Sequence, residues 1–224
     1  MKPGGLATRA IIFIFVLTLF SMYQETPAQK KDHKTRPKAS ATEPAASVPD
    51  ISYTVSMTRP STHLLEVEMR VKWSQMPALT ELKMPVWTPG SYLVREYARH
   101  VMDFEVKDAG GRPLTWSKAN KNTWAVNTGG EKELVATYKV YANELTVRTN
   151  ELNDEHAFWN NGALLFFVKG QLKAPSTVKV VPNGNWRVAT GLPPVAGAEN
   201  TFRAPDYDIL YDRSEEHTSE LQSH

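Results

Sequence analysis

Apolar and polar residues alternate strictly along residues 65–73. Leu65, Val67, Met69, Val71 and Trp73 fall on one side of the alternation, and Glu66, Glu68, Arg70 and Lys72 on the other. A period of two places each set on its own face of a strand, so the segment predicts a half-buried β-strand with a charged outer surface. Tyr53, Val55 and Met57 alternate with Ser52, Thr54 and Ser56 in the same manner, and Met102-Phe104-Val106 and Leu134-Ala136-Tyr138-Val140 repeat it. Residues 163–168 (ALLFFV) form a nearly continuous apolar run, which predicts a strand buried on both faces. Val178-Val180 and the alternation Tyr207, Ile209, Tyr211 predict two more strands. Turn signals at Gly110-Gly111, Gly129-Gly130, Asn161-Gly162 and Asn183-Gly184 separate these runs at short intervals. A helical period is absent from residue 50 onward except for one or two turns around residues 92–100. The expectation is an all-β domain, an antiparallel sandwich or saddle-shaped sheet of many short strands with little helix.

The ends of the chain follow other rules. Lys2 and Arg9 precede a short apolar run at residues 10–20, and Thr26-Pro27-Ala28 offers a small-residue cleavage site. This layout predicts a signal peptide over residues 1–28 and an exported protein, periplasmic or secreted. An uncleaved N-terminal membrane anchor is the alternative. Residues 29–49, rich in Lys, Ala, Pro and Ser, offer little to bury and are expected to form a disordered linker. Residues 213–224 (RSEEHTSELQSH) match the in-frame translation of a common sequencing adapter. They are expected to be no part of the natural protein, which leaves residues 50–212 as one β domain.

Charge narrows the partners. The whole chain carries +2, but residues 50–212 hold eighteen Lys plus Arg against eighteen Asp plus Glu. The folded part is therefore neutral, and without a basic patch interleaved with aromatics a nucleic-acid partner is not expected. Cysteine is absent, which excludes a disulfide framework and a lipid-modified cysteine after the leader.

The chain contains no H-E-x-x-H, nucleotide-binding glycine loop, G-x-S-x-G or Cys–His pair. Glu155-His156 supplies one carboxylate and one imidazole, short of the three ligands a zinc site requires, so no metal site and no catalytic residue is expected in the chain. Two stretches are denser in chemistry than packing alone requires. Residues 87–100 (WTPGSYLVREYARH) combine three aromatics with two arginines, as a buried corner or a binding surface would. Residues 147–162 (VRTNELNDEHAFWNNG) run through polar side chains to an aromatic pair and an Asn-Gly turn, either an ordinary connection or a loop that hosts function.

On these two stretches, and on the closing D-Y-D-I-L-Y-D, the chain resembles the N-terminal domain of the glycyl aminopeptidase family of zinc metallopeptidases, across essentially all of residues 51–212. The resemblance implies a larger enzyme: this β-rich domain, a helical zinc domain carrying H-E-x-x-H, and often a PDZ domain. Zinc and catalysis then belong to the missing catalytic domain, against which this domain packs while bordering the cleft for a peptide substrate. An aminopeptidase must recognise a free ammonium, for which a carboxylate or amide oxygen is the natural acceptor. By position, the resemblance points to Asn160 and Asn161 as substrate contacts, then Glu151, with Arg95 facing the same cleft or bracing its loop. The alternative is a stand-alone secreted β-sandwich that binds peptide or carbohydrate through Trp87, Tyr92, Trp159 and Asn160. Membrane contact is expected only if the leader stays uncleaved.

Overall fold

The computed structural model describes residues 47–88, 92–213 and 215–218. The predicted leader and nearly all of the predicted linker lie outside the described residues.

The architecture is all-β. The large sheet has six strands: β1 (Asp50–Ser56), β2 (Leu64–Lys72), β4 (Val101–Asp108), β7 (Glu133–Tyr141), β11 (Ser176–Val181) and β13 (Thr201–Ala204). Their order is β13-β11-β1-β2-β7-β4. All neighbours are antiparallel except β1 and β11, which run parallel from the Ile51–Ser176 pair to the Ser56–Val181 pair. The predicted alternation is realised here. Val55, Val67 and Tyr138 lie in one cross-strand row, Tyr53, Met69 and Ala136 in the next, and all six are buried. On the outer face Arg70 bridges Glu133 at 2.6 Å and Glu68 at 3.1 Å. In β4 the register slips between Met102 and Glu105 around Asp103, whose φ is +52°, and Met102 turns outward instead of joining the core.

A second sheet has the order β10-β3-β6-β5, built from β3 (Leu79–Lys83), β5 (Trp116–Asn120), β6 (Thr123–Asn127) and β10 (Phe167–Val168). The rings of the two sheets meet at Phe166, whose centroid lies 4.4 Å from Tyr138 and 4.6 Å from Trp124. A third sheet, ordered β12-β14-β9-β8, joins β8 (Glu151–Leu152), β9 (His156–Trp159), β12 (Arg187–Thr190) and β14 (Glu215–Thr218).

Two expectations require correction. The apolar run at 163–168 is not one strand: it begins inside a short helix, α1 (Asn161–Leu164), and ends in the two-residue β10. The carbonyls between them are claimed by side chains. Tyr138 donates to Leu164 O at 3.0 Å, Tyr207 to Leu165 O at 2.5 Å and Tyr53 to Phe166 O at 2.6 Å. The segment 207–211 is helical, not extended, as α2 (Tyr207–Asp212). Asp206 caps it, accepting from Ile209 N–H at 2.9 Å, and Tyr207, Leu210 and Tyr211 face the core at helical spacing. The helical expectation around residues 92–100 is met by a single 3₁₀ turn at Tyr97–His100.

Candidate functional site

The two stretches singled out in the sequence come together, with Tyr97 and His100 of one lining a common cavity with Thr149 and Asn150 of the other. Tyr97 shares a 2.6 Å hydrogen bond with Thr88, and the Tyr211 hydroxyl of α2 donates to the Trp87 carbonyl and lies 3.2 Å from the Thr88 hydroxyl. Trp87 packs edge-on against Phe167 and Tyr211. From the other stretch, the buried Asn150 donates to Ala163 O at 3.1 Å and accepts from the Asn160 N–H at 3.1 Å. The frame is close-fitting: a methyl group on Gly162 would lie 1.8 Å from the Tyr211 ring.

Between the stretches lies a cavity of about 250 Å³, bounded by Tyr97, His100, Tyr141, Asn143, Glu144, Thr149, Asn150 and Ala163. A groove of about 370 Å³ shares Tyr97, His100, Glu144 and Thr149 and extends to Val94, Arg95 and Arg99. Val94, Arg95 and Arg99 also line a third, larger hollow of about 860 Å³, floored by Phe104, Trp116 and Trp124 between the edge strands β4 and β5. The three concavities thus form one continuous surface. Leu93 and Val94 line the groove, and Val94 the large hollow as well. Tyr92, Leu93 and Val94 from one stretch, and Leu145 and Val147 from the other, are all exposed. His100 is held below the usual imidazole range, first by burial and then by the neighbouring Arg99, with Glu144 opposing. A neutral imidazole, a carboxylate, two phenols and an amide suit hydrogen bonding to a polar group rather than covalent chemistry.

The four residues expected to serve a substrate are placed differently from one another. Arg95 lines the groove, and its N–H donates to Val86 O at 2.8 Å. Asn160 caps α1, accepting from Gly162 N–H at 2.9 Å. Asn161 is wholly buried: Trp159 Nε1 donates to its Oδ1 at 3.0 Å, and its Nδ2 donates to the Leu210 and Arg213 carbonyls. Glu151, on β8, accepts from Asn153 at 3.1 Å. Asn160, Asn161 and Glu151 line neither the cavity nor the groove. Trp159 is also fully buried, so it cannot belong to the surface that the stand-alone binding reading requires. The sequence gives little hint of Glu144 as a cavity residue, because it is isolated along the chain, and His100 closes a singled-out stretch without any local motif. Asn150 sits inside a singled-out stretch without any local motif.

The model of the peptidase M61 N-terminal domain matches residues 52–213. The chain belongs to that family. No curated protein sequence matches it. Among solved structures, this M61 domain is similar to an aminopeptidase N family protein from Idiomarina loihiensis, with 30% identity and a TM-score of 0.70. That match covers 75% of this chain and 29% of the other, so the chain spans less than a third of that relative's length. An M1 zinc metallopeptidase from Deinococcus radiodurans also aligns, with 11% identity and a TM-score of 0.41, over 77% of this chain and 42% of the other. The M61 domain itself does not fit a catalytic zinc. Among the described residues no three His, Cys, Asp or Glu side chains gather as a metal site.

Proposed function

We propose that this chain is the non-catalytic N-terminal domain of an exported zinc aminopeptidase, which packs on the catalytic domain of the full-length protein and borders its peptide cleft. The carrying observation is a set of exposed apolar side chains on these loops: Tyr92, Leu93, Val94, Leu145 and Val147 are all open to solvent, and Leu93 and Val94 line the groove. Exposed apolar surface of this kind marks interaction sites where it is contiguous. Membership of the M61 family supports a peptidase partner for that surface. In this reading Arg95 lies toward the cleft, while Asn160 and Asn161 act by fixing the 150–164 segment that shapes it.

The test uses the full-length enzyme. Val94→Asp combined with Val147→Asp is expected to lower kcat/KM for short peptides about tenfold, a loss of about 1.4 kcal/mol, and to lower the thermal midpoint. Arg203→Ser, on the exposed side of β13, serves as the control and is expected to change neither. Asn160→Ala should raise KM with kcat nearly constant. Kinetics unchanged in both the double variant and Asn160→Ala would remove the proposal.

A further inference from the structure

The hollow of about 860 Å³ opens between two strands that each end a sheet: β4 ends the order of the large sheet and β5 that of the second. Part of the β4 edge is already covered, since Leu114 N–H donates to Val106 O and Asp108 N–H to Arg112 O. β5 is exposed at every residue, and among the described residues no strand pairs with its second edge. Such an edge offers backbone donors and acceptors to an extended chain. The floor of the hollow is aromatic. Phe104 meets Trp116 edge-on at 4.9 Å and Trp124 at 5.6 Å, and Trp116 stays exposed. The lining carries four cations, Arg95, Arg99, Lys118 and Lys121, against the two carboxylates of Glu96 and Asp103. Both carboxylates are engaged, Glu96 by Lys121 at 3.0 Å and Asp103 by Lys139 at 2.8 Å. Lys118 meets a ring and a carbonyl instead. Its Nζ lies 3.1 Å from the centre of the Trp124 ring and donates to Lys121 O at 2.8 Å. Burial holds this ammonium below the ordinary lysine range. A lysine that only guarded an edge strand would extend into water. A partly desolvated cation over an aromatic floor favours an incoming anion.

We propose that this hollow is a docking site for an extended acidic peptide, which pairs with the open edge of β5, sets an aromatic side chain on Phe104 and Trp116, and brings a carboxylate to Lys118. A separate observation assigns each feature: the unpaired edge asks for an extended backbone, the floor for a ring, the surplus of cations for acid. The inference is independent of the proposed peptidase role, since it needs neither a catalytic domain nor a free ammonium.

The test is calorimetric titration of the full chain with acetyl-Glu-Phe-Glu-Phe-Glu-amide, blocked at both ends. Binding is expected to weaken as salt is added, because the charges that meet lie near the surface. The analogue with Gln in place of each Glu should bind about fivefold more weakly or worse. Trp116→Ala should cost about tenfold in affinity and Lys118→Gln about fivefold. Amide exchange within residues 116–120 should slow when the peptide is bound. Equal affinity for the Gln analogue would overturn the acidic preference, and wild-type affinity in both variants would overturn the location. Should Trp116→Ala fail to fold, Lys118→Gln alone decides the location. Binding of 2-naphthoate as tight as that of the peptide, or unchanged exchange at 116–120, would overturn the extended occupant in favour of a small aromatic acid. Absence of any binding would overturn the site and leave the kinetic test of the full-length enzyme untouched.

Discussion

Tyr53, Tyr138 and Tyr207 place their hydroxyls on three consecutive carbonyls, those of Phe166, Leu164 and Leu165. Each bond satisfies a buried acceptor that no sheet partner reaches, and leaving such a group unpaired costs about 1–3 kcal/mol. Burial pushes the ionisation of all three, and of Tyr211, well above the ordinary phenol range. The folded state therefore keeps protons that the unfolded state releases near pH 10. Stability is whole below that pH and falls as the pH rises beyond it. We expect the rise in tyrosinate absorbance at 295 nm from these four rings to coincide with loss of the near-ultraviolet circular dichroism. Ionisation of the four while that dichroism stays native would contradict the assignment.

At the scale of elements, the helices α1 and α2 depend on each other through two contacts. The Tyr211 ring occupies the space where a Gly162 side chain would stand, and Asn161 ties α1 to the end of α2. Gly162→Ala should therefore destabilise the domain by about 1–3 kcal/mol, through overpacking rather than backbone strain. Gly162→Ala combined with Tyr211→Leu should recover part of that loss. Denaturant titration of the single and double variants measures the coupling, and simple additivity would exclude it. These elements also show where sequence reasoning stops. β1, β2 and β7 are legible because one buried face enforces a period of two. Tyr207, Ile209 and Tyr211 satisfy that period by coincidence. Burial of Tyr207, Leu210 and Tyr211 and the Asp206 cap reveal the helical one. Residues 163–168 carry no period, and what divides them is a set of hydroxyls arriving from elements far away in sequence. The density of the two site stretches was legible for the same reason that the strands were, since composition is local. Their meeting through Thr88, Tyr97 and Tyr211 was not, because it depends on where α2 docks.

The whole domain is organised around β1, the first strand among the described residues and an interior strand of the large sheet. On one side it pairs with β2, its sequence neighbour. On the other it pairs in parallel with β11, matching Ile51 to Ser176. Long-range parallel pairing is slow to form, because the loop must close before any contact rewards it. A polypeptide emerging from the ribosome therefore carries β1 with one edge open until more than a hundred further residues have been made. In a series of arrested nascent chains, resistance to protease should appear only once residues through Val181 have cleared the exit tunnel. Resistance at chain lengths that end before Ser176 would show that the sheet closes without its parallel pair. Position in the sheet thus sets a schedule. The earliest synthesised of the described strands is among the last to be enclosed, and until then one edge of its hairpin with β2 stands open to any other strand that passes.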